Sequence, residues 1–138
     1  MARRGSQWLG GIVPGKGLMG RRNEIQERSY AFAVRVVKLS RELGKGSTNR
    51  VLTSQLLRSG TSIGANVEEA IGGQSRKDFL SKLRIARKES RESHYWLRLL
   101  GDAEVVPRAR LEEITSECEQ ITKILTAIIL TTESKGNS

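Results

Sequence analysis

Residues 75–101 read SRKDFLSKLRIARKESRESHYWLRLLG, and one helical pattern runs through all of them. At about 100° per residue, apolar and small side chains recur at alternating spacings of four and three, which places them on one stripe of a helix. The stripe consists of Phe79, Leu83, Ala86, Ser90, Ser93, Leu97 and Leu100. We therefore predict that this stripe faces other helices.

Two other faces of the same predicted helix carry different chemistry. On one, five potentially cationic side chains lie within roughly 80° of one another, beside the apolar stripe. We call them the basic ridge: Arg84, Arg87, Arg91, His94 and Arg98. On the opposite flank, Ile85, Trp96 and Leu99 are too apolar for a fully solvated face, which implies a second buried contact.

Three further segments repeat the same apolar spacing, and capping or helix-breaking residues separate them. Ser75 with Asp78 forms a capping box, and Gly72 with Gly73 ends the segment before it. No segment of the sequence shows strand alternation with turn chemistry. The sequence therefore predicts an all-α fold, an antiparallel up-down four-helix bundle with short loops. The predicted helices begin near Asn23, Asn49, Ser75 and Pro107.

The predicted bundle spans residues 23–132, with Asn23 as the N-cap of the first helix. Residues 1–22 form a basic, glycine-rich arm outside it, and residues 133–138 form a frayed tail. Of a net charge of +9, the first 23 residues supply five positive charges and no acid. Three interpretations of the arm stay open: a disordered extension, sequence ahead of a true start at Met19, or an arm that follows a phosphate backbone.

Composition limits the function classes. The single cysteine, Cys118, excludes an intramolecular disulfide and a cysteine zinc cluster, which fits a reducing cytoplasm. No apolar run approaches the roughly 20 residues that cross a bilayer, so we expect a cytoplasmic protein with no membrane partner. The sequence has one histidine, no E-x-x-H spacing and no phosphate-binding loop, and we expect no metal and no cofactor.

Two segments carry a family resemblance: QLLRSGTSIGANVEEA at residues 55–70 and DFLSKLRIARKESRESHYWLRLL at residues 78–100. Both resemble the bacterial four-helix-bundle proteins encoded within intervening sequences of 23S ribosomal RNA genes. The shared pattern is Q-L-x-R-S-x-x-S-I-x-A-N-x-x-E-A, then D-F, K-L-x-I-A-x-K-E and Y-W-L. It covers the second and third predicted helices closely, and the first and fourth only by their apolar spacing.

The resemblance also implies partners. The family is similar to the accessory protein of diversity-generating retroelements, a basic homopentamer that binds nucleic acid and a reverse transcriptase. By resemblance we expect a homo-oligomer, a pentamer, with RNA or DNA and a reverse transcriptase as candidate partners. Tyr95, Trp96 and Leu99 are the candidate interface anchors because they lie off the main apolar stripe. The alternative is that Trp96 contacts another helix of its own bundle.

Polar side chains crowd the sides on which the second and third predicted helices face each other. They are Gln55, Arg58, Ser59, Ser62, Asn66, Glu69, Lys82, Glu89 and Glu92. We interpret them as a hydrogen-bonded network that fixes helix register, because an unpaired buried charge would cost several kcal/mol. Gly60 and Gly64 would each cost about 1 kcal/mol in a helix relative to alanine, which predicts the close approach of another backbone.

The basic ridge favours nucleic-acid binding, because arginine contacts phosphates through a permanent charge and bidentate hydrogen bonds. Aromatic residues are scarce, so such binding would be mainly electrostatic. Two alternatives stay open. A charged helix face is often only solvated, which would leave a structural or protein-interaction bundle. The spacing of Arg87 and His94 also fits, weakly, the R-x4–6-H pattern of helical ribonucleases, but we expect no enzymatic activity.

Overall fold

The computed structural model describes residues 17–43 and 46–136, which form four long helices. They are α1, Leu18–Leu43; α2, Ser47–Ile71; α3, Arg76–Asp102; and α4, Arg108–Gly136. Within these ranges each helix packs against two others, in the cyclic order α1, α2, α3, α4. Ser59 lies beside Ser93, and Glu69 beside Lys82, so α2 and α3 run in opposite directions. The predicted all-α four-helix bundle is confirmed.

The core lies along the bundle axis, and all four helices contribute to it. The seven residues of the apolar stripe on α3 are all buried, as their spacing predicted. Large side chains that are almost fully buried come from every helix: Ile25, Phe32, Leu56, Ile63, Leu83, Leu97, Ile121 and Leu125. Across the described residues, no helix combines the length and apolar character that a membrane span requires.

The turn between α2 and α3 sets the direction in which α3 leaves the bundle end. Ser75 has an extended backbone, with φ −141° and ψ 160°, and its side chain accepts a hydrogen bond from the backbone N–H of Asp78 at 3.0 Å. The predicted N-cap of this helix is therefore confirmed. At the other end, Gly101 is buried inside the helix, which ends one residue later than predicted.

The start of α1 differs from the prediction. The helix begins at Leu18, so Asn23 lies inside it and does not cap it. Tertiary contacts hold the extra turn: Arg21 donates to the Thr131 hydroxyl at 3.0 Å, and the Arg22 guanidinium lies 4.2 Å from the centre of the Phe79 ring. Residues 18–22 thus belong to the bundle, and residues 1–16 of the predicted arm lie outside the described residues.

The end of α4 also differs, because the helix continues to Gly136 instead of fraying after residue 132. Glu133 forms an ion pair with Arg84 at 2.5 Å, and Arg76 donates from Nε to the backbone carbonyl of Thr132 at 3.3 Å. These contacts from α3 hold the last turns of α4. Residues 137–138 lie outside the described residues.

Contacts between α1 and its neighbours close the bundle. Arg28 donates from two guanidinium nitrogens to the two carboxylate oxygens of Glu117 on α4, at 2.7 and 2.8 Å. That hydrogen bonding raises the pKa of Arg28, against the opposing effect of burial. Toward α2, a Cβ on Gly64 would lie 3.3 Å from the backbone carbonyl oxygen of Ser29, which is the predicted close backbone approach. At Gly60 the neighbour is instead the Val36 side chain.

Candidate nucleic-acid interface

The basic ridge lies on the side of α3 that faces α4, and carboxylates from α4 reach two of its members. Arg84 pairs with Glu133 at 2.5 Å. The Nε2 atom of His94 lies 3.3 Å from a carboxylate oxygen of Glu119. These two ridge residues therefore have carboxylate neighbours within the bundle, which sequence periodicity on one helix had not indicated.

The other three ridge residues differ from this pair. Arg87, Arg91 and Arg98 form no ion pair and no side-chain hydrogen bond with any residue in the described ranges. Arg91 and Arg98 are exposed, and Arg87 is half-buried. Three guanidinium groups on the same side of α3, one and two turns apart, thus keep their hydrogen-bond donors available to a ligand.

Side chains from α4 complete this surface. Arg91 and His94 line a shallow groove together with Glu119, Thr122 and Lys123 of α4. Farther along, Arg98 shares a second depression with five polar side chains of α4: Arg108, Glu112, Thr115, Ser116 and Glu119. Asp102 of α3 also lines it and pairs with Arg108 at 2.8 Å, so these two charges offset each other. Lys123 and the hydroxyl groups add hydrogen-bond donors that had not been predicted for the site from the sequence. The signal for Lys123 was its spacing, because it follows Glu119 by one helical turn.

We call this surface the α3/α4 face. It consists of Arg84, Arg87, Arg91, His94 and Arg98 from α3 and of Glu112, Glu119, Lys123 and Glu133 from α4. With His94 neutral it holds five cationic groups and three carboxylates, an excess of two positive charges. The three carboxylates of the face belong to α4, whereas the arginines without a carboxylate partner belong to α3. The positive charge of the face is therefore concentrated on α3.

The opposite flank of α3 is neutralised by its contacts with α2. Arg58 pairs with Glu89 at 3.2 Å and also with Glu92. Glu92 in turn accepts a hydrogen bond from the indole N–H of Trp96 at 3.1 Å. These contacts join one turn of α2 to two turns of α3. Because the single arginine faces two carboxylates, this group of side chains has no excess of positive charge.

The predicted polar network is only partly joined across the two helices. Lys82 pairs with Glu69 at 3.1 Å, which adds a second link between α3 and α2. Ser62 and Asn66 instead donate to backbone carbonyls of their own helix, at 2.6 and 2.8 Å. Gln55 is half-buried and forms no side-chain hydrogen bond with a described residue. The prediction that Gln55, Ser62 and Asn66 join the two helices is therefore corrected, because Ser62 and Asn66 bond to their own helix and Gln55 does not reach a partner on α3.

The three candidate interface anchors are placed differently from one another. Tyr95 is 51% exposed. Trp96 is half-buried and packs against the core, with its ring edge-to-face on Tyr95 at a centroid distance of 5.0 Å. Leu99 is half-buried. Trp96 thus packs against its own bundle, and Tyr95 is the most accessible of the three.

Cys118 lies behind the face, in the core. Its Sγ donates to the backbone carbonyl of Ser90 at 3.1 Å, and the Ser90 hydroxyl lies 2.7 Å from the hydroxyl of Thr122. Burial raises the pKa of the Cys118 thiol to about 12, with smaller contributions from the charges of Glu119 and Glu117. The thiol therefore stays protonated and unreactive at neutral pH.

No group of three or more His, Cys, Asp or Glu side chains in the described part of the chain is placed to hold a metal ion. The only histidine, His94, faces Glu119 with Arg91 and Lys123 near it. The cationic groups of Arg91 and Lys123 can attract an anion to the rim of this groove, and the carboxylate of Glu119 opposes them.

Comparisons with known proteins identify the family. The chain resembles a crystal structure described as a protein of unknown function from the S23 ribosomal protein family of Bacteroides thetaiotaomicron VPI-5482. The two are 45% identical, with a TM-score of 0.75, over 79% of this chain and 97% of the other. A comparison with curated proteins finds none that matches. The family model for the 23S rRNA-intervening sequence protein matches residues 21–127, and the chain therefore belongs to that family.

Proposed function

We propose that this protein is a non-enzymatic, homo-oligomeric bundle that binds the phosphate backbone of RNA or DNA through the α3/α4 face. One observation carries the proposal: Arg87, Arg91 and Arg98 have no carboxylate partner among the described residues. An arginine that serves only bundle stability is expected to resemble Arg28 or Arg58, each of which contacts two carboxylates.

The chemistry of the face favours backbone contacts over base recognition. Guanidinium groups donate bidentate hydrogen bonds to phosphate oxygens, and each neutralised phosphate releases counterions. The face contains no Phe, Tyr or Trp side chain on which a base could stack. We therefore expect affinity that depends steeply on salt and little on sequence. Because the family is described by a 23S rRNA intervening sequence, RNA is the first ligand to test.

Self-association would multiply these contacts. The family resemblance suggests a pentamer, and the half-exposed ring of Tyr95 supports a contact between copies near the end of α3. Several copies of a weak phosphate-binding face on one assembly give an avidity that a single face lacks. A role as accessory factor to an intervening sequence or to a reverse transcriptase would use such an assembly.

The test is a salt titration of binding, measured by fluorescence anisotropy with labelled RNAs of unrelated sequence. Arg87→Glu with Arg91→Glu should weaken binding to every RNA and reduce the slope of log affinity against log salt by about one unit for each phosphate that is no longer neutralised. The matched control is Arg41→Glu with Arg50→Glu, which changes the net charge equally at exposed residues of α1 and α2. Equal weakening in the two double variants would refute the face and leave only a net-charge effect.

A chain that begins at Met19 separates the face from the N-terminal arm. If truncation alone abolishes binding while the Arg87 and Arg91 reversal does not, the binding role belongs to Arg3, Arg4 and Lys16. Those three residues lie outside the described ranges.

The two alternative functions predict different results. A structural or protein-interaction bundle would show no saturable RNA binding at low salt. A helical ribonuclease would cleave labelled RNA in a reaction that His94→Ala abolishes. We expect no cleavage, because His94 approaches Glu119 while Arg87 contacts neither of them. Gel analysis of the recovered RNA distinguishes binding from cleavage.

A further inference from the structure

A second basic site lies at one end of the bundle, away from the α3/α4 face. It is a cleft of about 340 Å³ bounded by the beginning of α1, the turn from α2 to α3, and the end of α4. This volume is at the small end of the range of protein ligand sites. The cleft therefore has room for a small anion and for part of the molecule that carries it.

The cleft is lined by three cationic side chains from three different helices: Arg22 of α1, Arg76 of α3 and Lys135 of α4. None of its lining residues is a carboxylate, in contrast to the α3/α4 face, where three carboxylates offset the charge. The nearest acid along the turn is Asp78, an exposed residue of the first turn of α3. The lining of the cleft is therefore cationic and draws its charge from separated segments of the chain.

Two of these cations are held in place while donors remain free. The Arg22 guanidinium stacks on the Phe79 ring at 4.2 Å, and its Nε is buried with no acceptor among the described residues. Arg76 uses its Nε for the Thr132 carbonyl at 3.3 Å, which leaves its two amino groups without a hydrogen bond to a described residue. A buried donor that lacks an acceptor costs free energy, and a bound anion would remove that cost.

The backbone adds to this field. Gly73, Gln74 and Ser75 line the cleft just before α3, so the N-terminal end of a 27-residue helix lies at its edge. The first amides of a helix have no partner within the helix and carry a partial positive charge. Their contribution supplements the three side chains.

We propose that this cleft binds a phosphate group carrying two negative charges, either as free phosphate or as the terminal phosphate of a nucleic acid. Two guanidinium groups, an ammonium group and a helix end suit a doubly charged tetrahedral anion better than a single carboxylate. The internal phosphates of a nucleic-acid backbone carry one charge each, so a chain end would be preferred over the middle. This proposal is independent of the α3/α4 face.

The test is a two-dimensional proton–nitrogen NMR titration of the intact chain with inorganic phosphate, against sodium chloride at matched ionic strength. The amides of residues 73–77 should shift saturably with phosphate and not with chloride. Arg22→Gln and Arg76→Gln should each raise the dissociation constant about tenfold, since each removes a charge-assisted hydrogen bond. Arg50→Gln, at an exposed position of α2 outside both basic sites, is the control and should leave phosphate binding unchanged.

Arg22→Gln removes the stack on Phe79, so its helical content is checked by circular dichroism. Lys135→Gln, at an exposed residue near the end of α4, is a second variant that keeps the stack on Phe79 and should bind phosphate more weakly. Shifts that are linear in phosphate, or that chloride reproduces, would overturn the proposal. Undiminished phosphate binding in both Arg22→Gln and Lys135→Gln would overturn it as well.

The source of the phosphate is decided by two oligoribonucleotides of one sequence, with a 5′-phosphate or a 5′-hydroxyl. Tighter binding of the phosphorylated one, absent in Lys135→Gln but kept in Arg50→Gln, would assign the cleft to a nucleic-acid end. Equal binding of the two, together with saturable shifts in inorganic phosphate, would assign it to free phosphate. Failure of the α3/α4 face in the salt titration would leave the phosphate result unaffected.

Discussion

Ser93 on α3 donates a hydrogen bond to Ser59 on α2, with an Oγ–Oγ distance of 2.9 Å, and neither residue is exposed. The Ser93 hydroxyl also lies 2.9 Å from the Glu89 carbonyl oxygen, and the Ser59 hydroxyl lies 3.4 Å from the Leu56 carbonyl oxygen, so each hydroxyl has a second partner in its own helix. The pair is thereby satisfied without water. Arg58 and Glu92, which pair with each other, immediately precede Ser59 and Ser93, so the buried and exposed polar contacts between α2 and α3 share one register.

Ser59→Ala and Ser93→Ala should each lower the free energy of unfolding by about 1 kcal/mol, because each removes a buried hydrogen bond. The double variant should lose less than the sum by about 0.5 kcal/mol, since the second substitution removes a partner that is already unpaired. Urea unfolding of the two single variants and the double variant measures this coupling. Ser54→Ala, at an exposed position of α2, is the control. Strict additivity would show that the two hydroxyls do not interact.

Gly60→Ala should destabilise the bundle even though alanine is the better helix former. An added Cβ would lie 2.9 Å from a Val36 methyl group, and Val36 is fully buried and branched at Cβ. The propensity gain of about 1 kcal/mol is outweighed by overpacking of about 1 to 3 kcal/mol, for an expected net loss of about 1 kcal/mol in urea unfolding.

A matched pair of variants separates the two contributions. Ala65→Gly, at an exposed position of the same helix, should cost about 1 kcal/mol and measures the propensity term alone. In a Val36→Ala background the two methyl contacts are removed and only the Cβ of residue 36 stays close, at 3.3 Å, so Gly60→Ala should cost clearly less than in the chain that retains Val36. If Gly60→Ala stabilises the chain that retains Val36, the close contact is not limiting.

The sequence predicted those features that depend on neighbouring residues of one helix. The Ser75 cap forms within four residues, and the buried stripe of α3 needs only the helical period. The start of α1 could not be read in this way: Asn23 has a capping pattern, but Arg22 stacks on Phe79, more than 50 positions away, and extends the helix past it. At that position the tertiary contact, and not the local capping pattern, determines where the helix begins.

The same reasoning explains what was predicted of the candidate site. The alignment of five basic residues follows from the spacing on α3. Which of them keep free donors depends on the register between α3 and α4, which brings Glu133 to Arg84 and Glu119 to His94. The periodicity of a single helix contains no information about that register. The bundle-end cleft was missed for a related reason, because Arg22, Arg76 and Lys135 come from three separate helices.

Cys118 should make stability decline at alkaline pH. Its pKa is about 12 in the folded chain, against about 8.5 for an unperturbed thiol. Below pH 8.5 both states hold the proton and the thiol adds no pH dependence. Above it the unfolded chain releases the proton while the folded chain keeps it, so the free energy of unfolding falls by up to about 1.4 kcal/mol per pH unit.

Urea unfolding between pH 8 and 11 measures this effect by comparing the intact chain with Cys118→Ala. Lysines and tyrosines titrate in both proteins, so only the difference between the two curves reports the thiol. We expect the variant to lose less stability as the pH rises. Parallel curves would show that the thiol does not contribute.

Tyr95→Glu should dissociate the proposed oligomer, because it places a charge on the most accessible of the three candidate interface residues. Light scattering at micromolar concentration should give a multiple of the protomer mass for the intact chain and a lower multiple for the variant. Tyr30→Glu is the control, since Tyr30 is 69% exposed on α1 and lies outside the proposed contact. A monomeric mass for the intact chain would reject the assembly, and unchanged mass in Tyr95→Glu would reject this interface.

Glu119→Gln should strengthen nucleic-acid binding. Glu119 lies 3.3 Å from His94 and shares a groove with Arg91 and Lys123, so its negative charge stands beside the proposed path of the phosphates. Removing that charge raises the positive excess of the α3/α4 face from two to three. An exposed charge of this kind contributes up to about 1 kcal/mol, so affinity for RNA should rise about threefold at low salt and less at high salt.

The matched control is Glu113→Gln on the same helix, because Glu113 pairs with Arg35 of α1 at 3.4 Å and therefore faces away from α3. Anisotropy titrations of the two variants should show a gain for Glu119→Gln and a clearly smaller one for Glu113→Gln. Equal gains would mean that RNA responds to net charge alone and that the α3/α4 face is not where it binds.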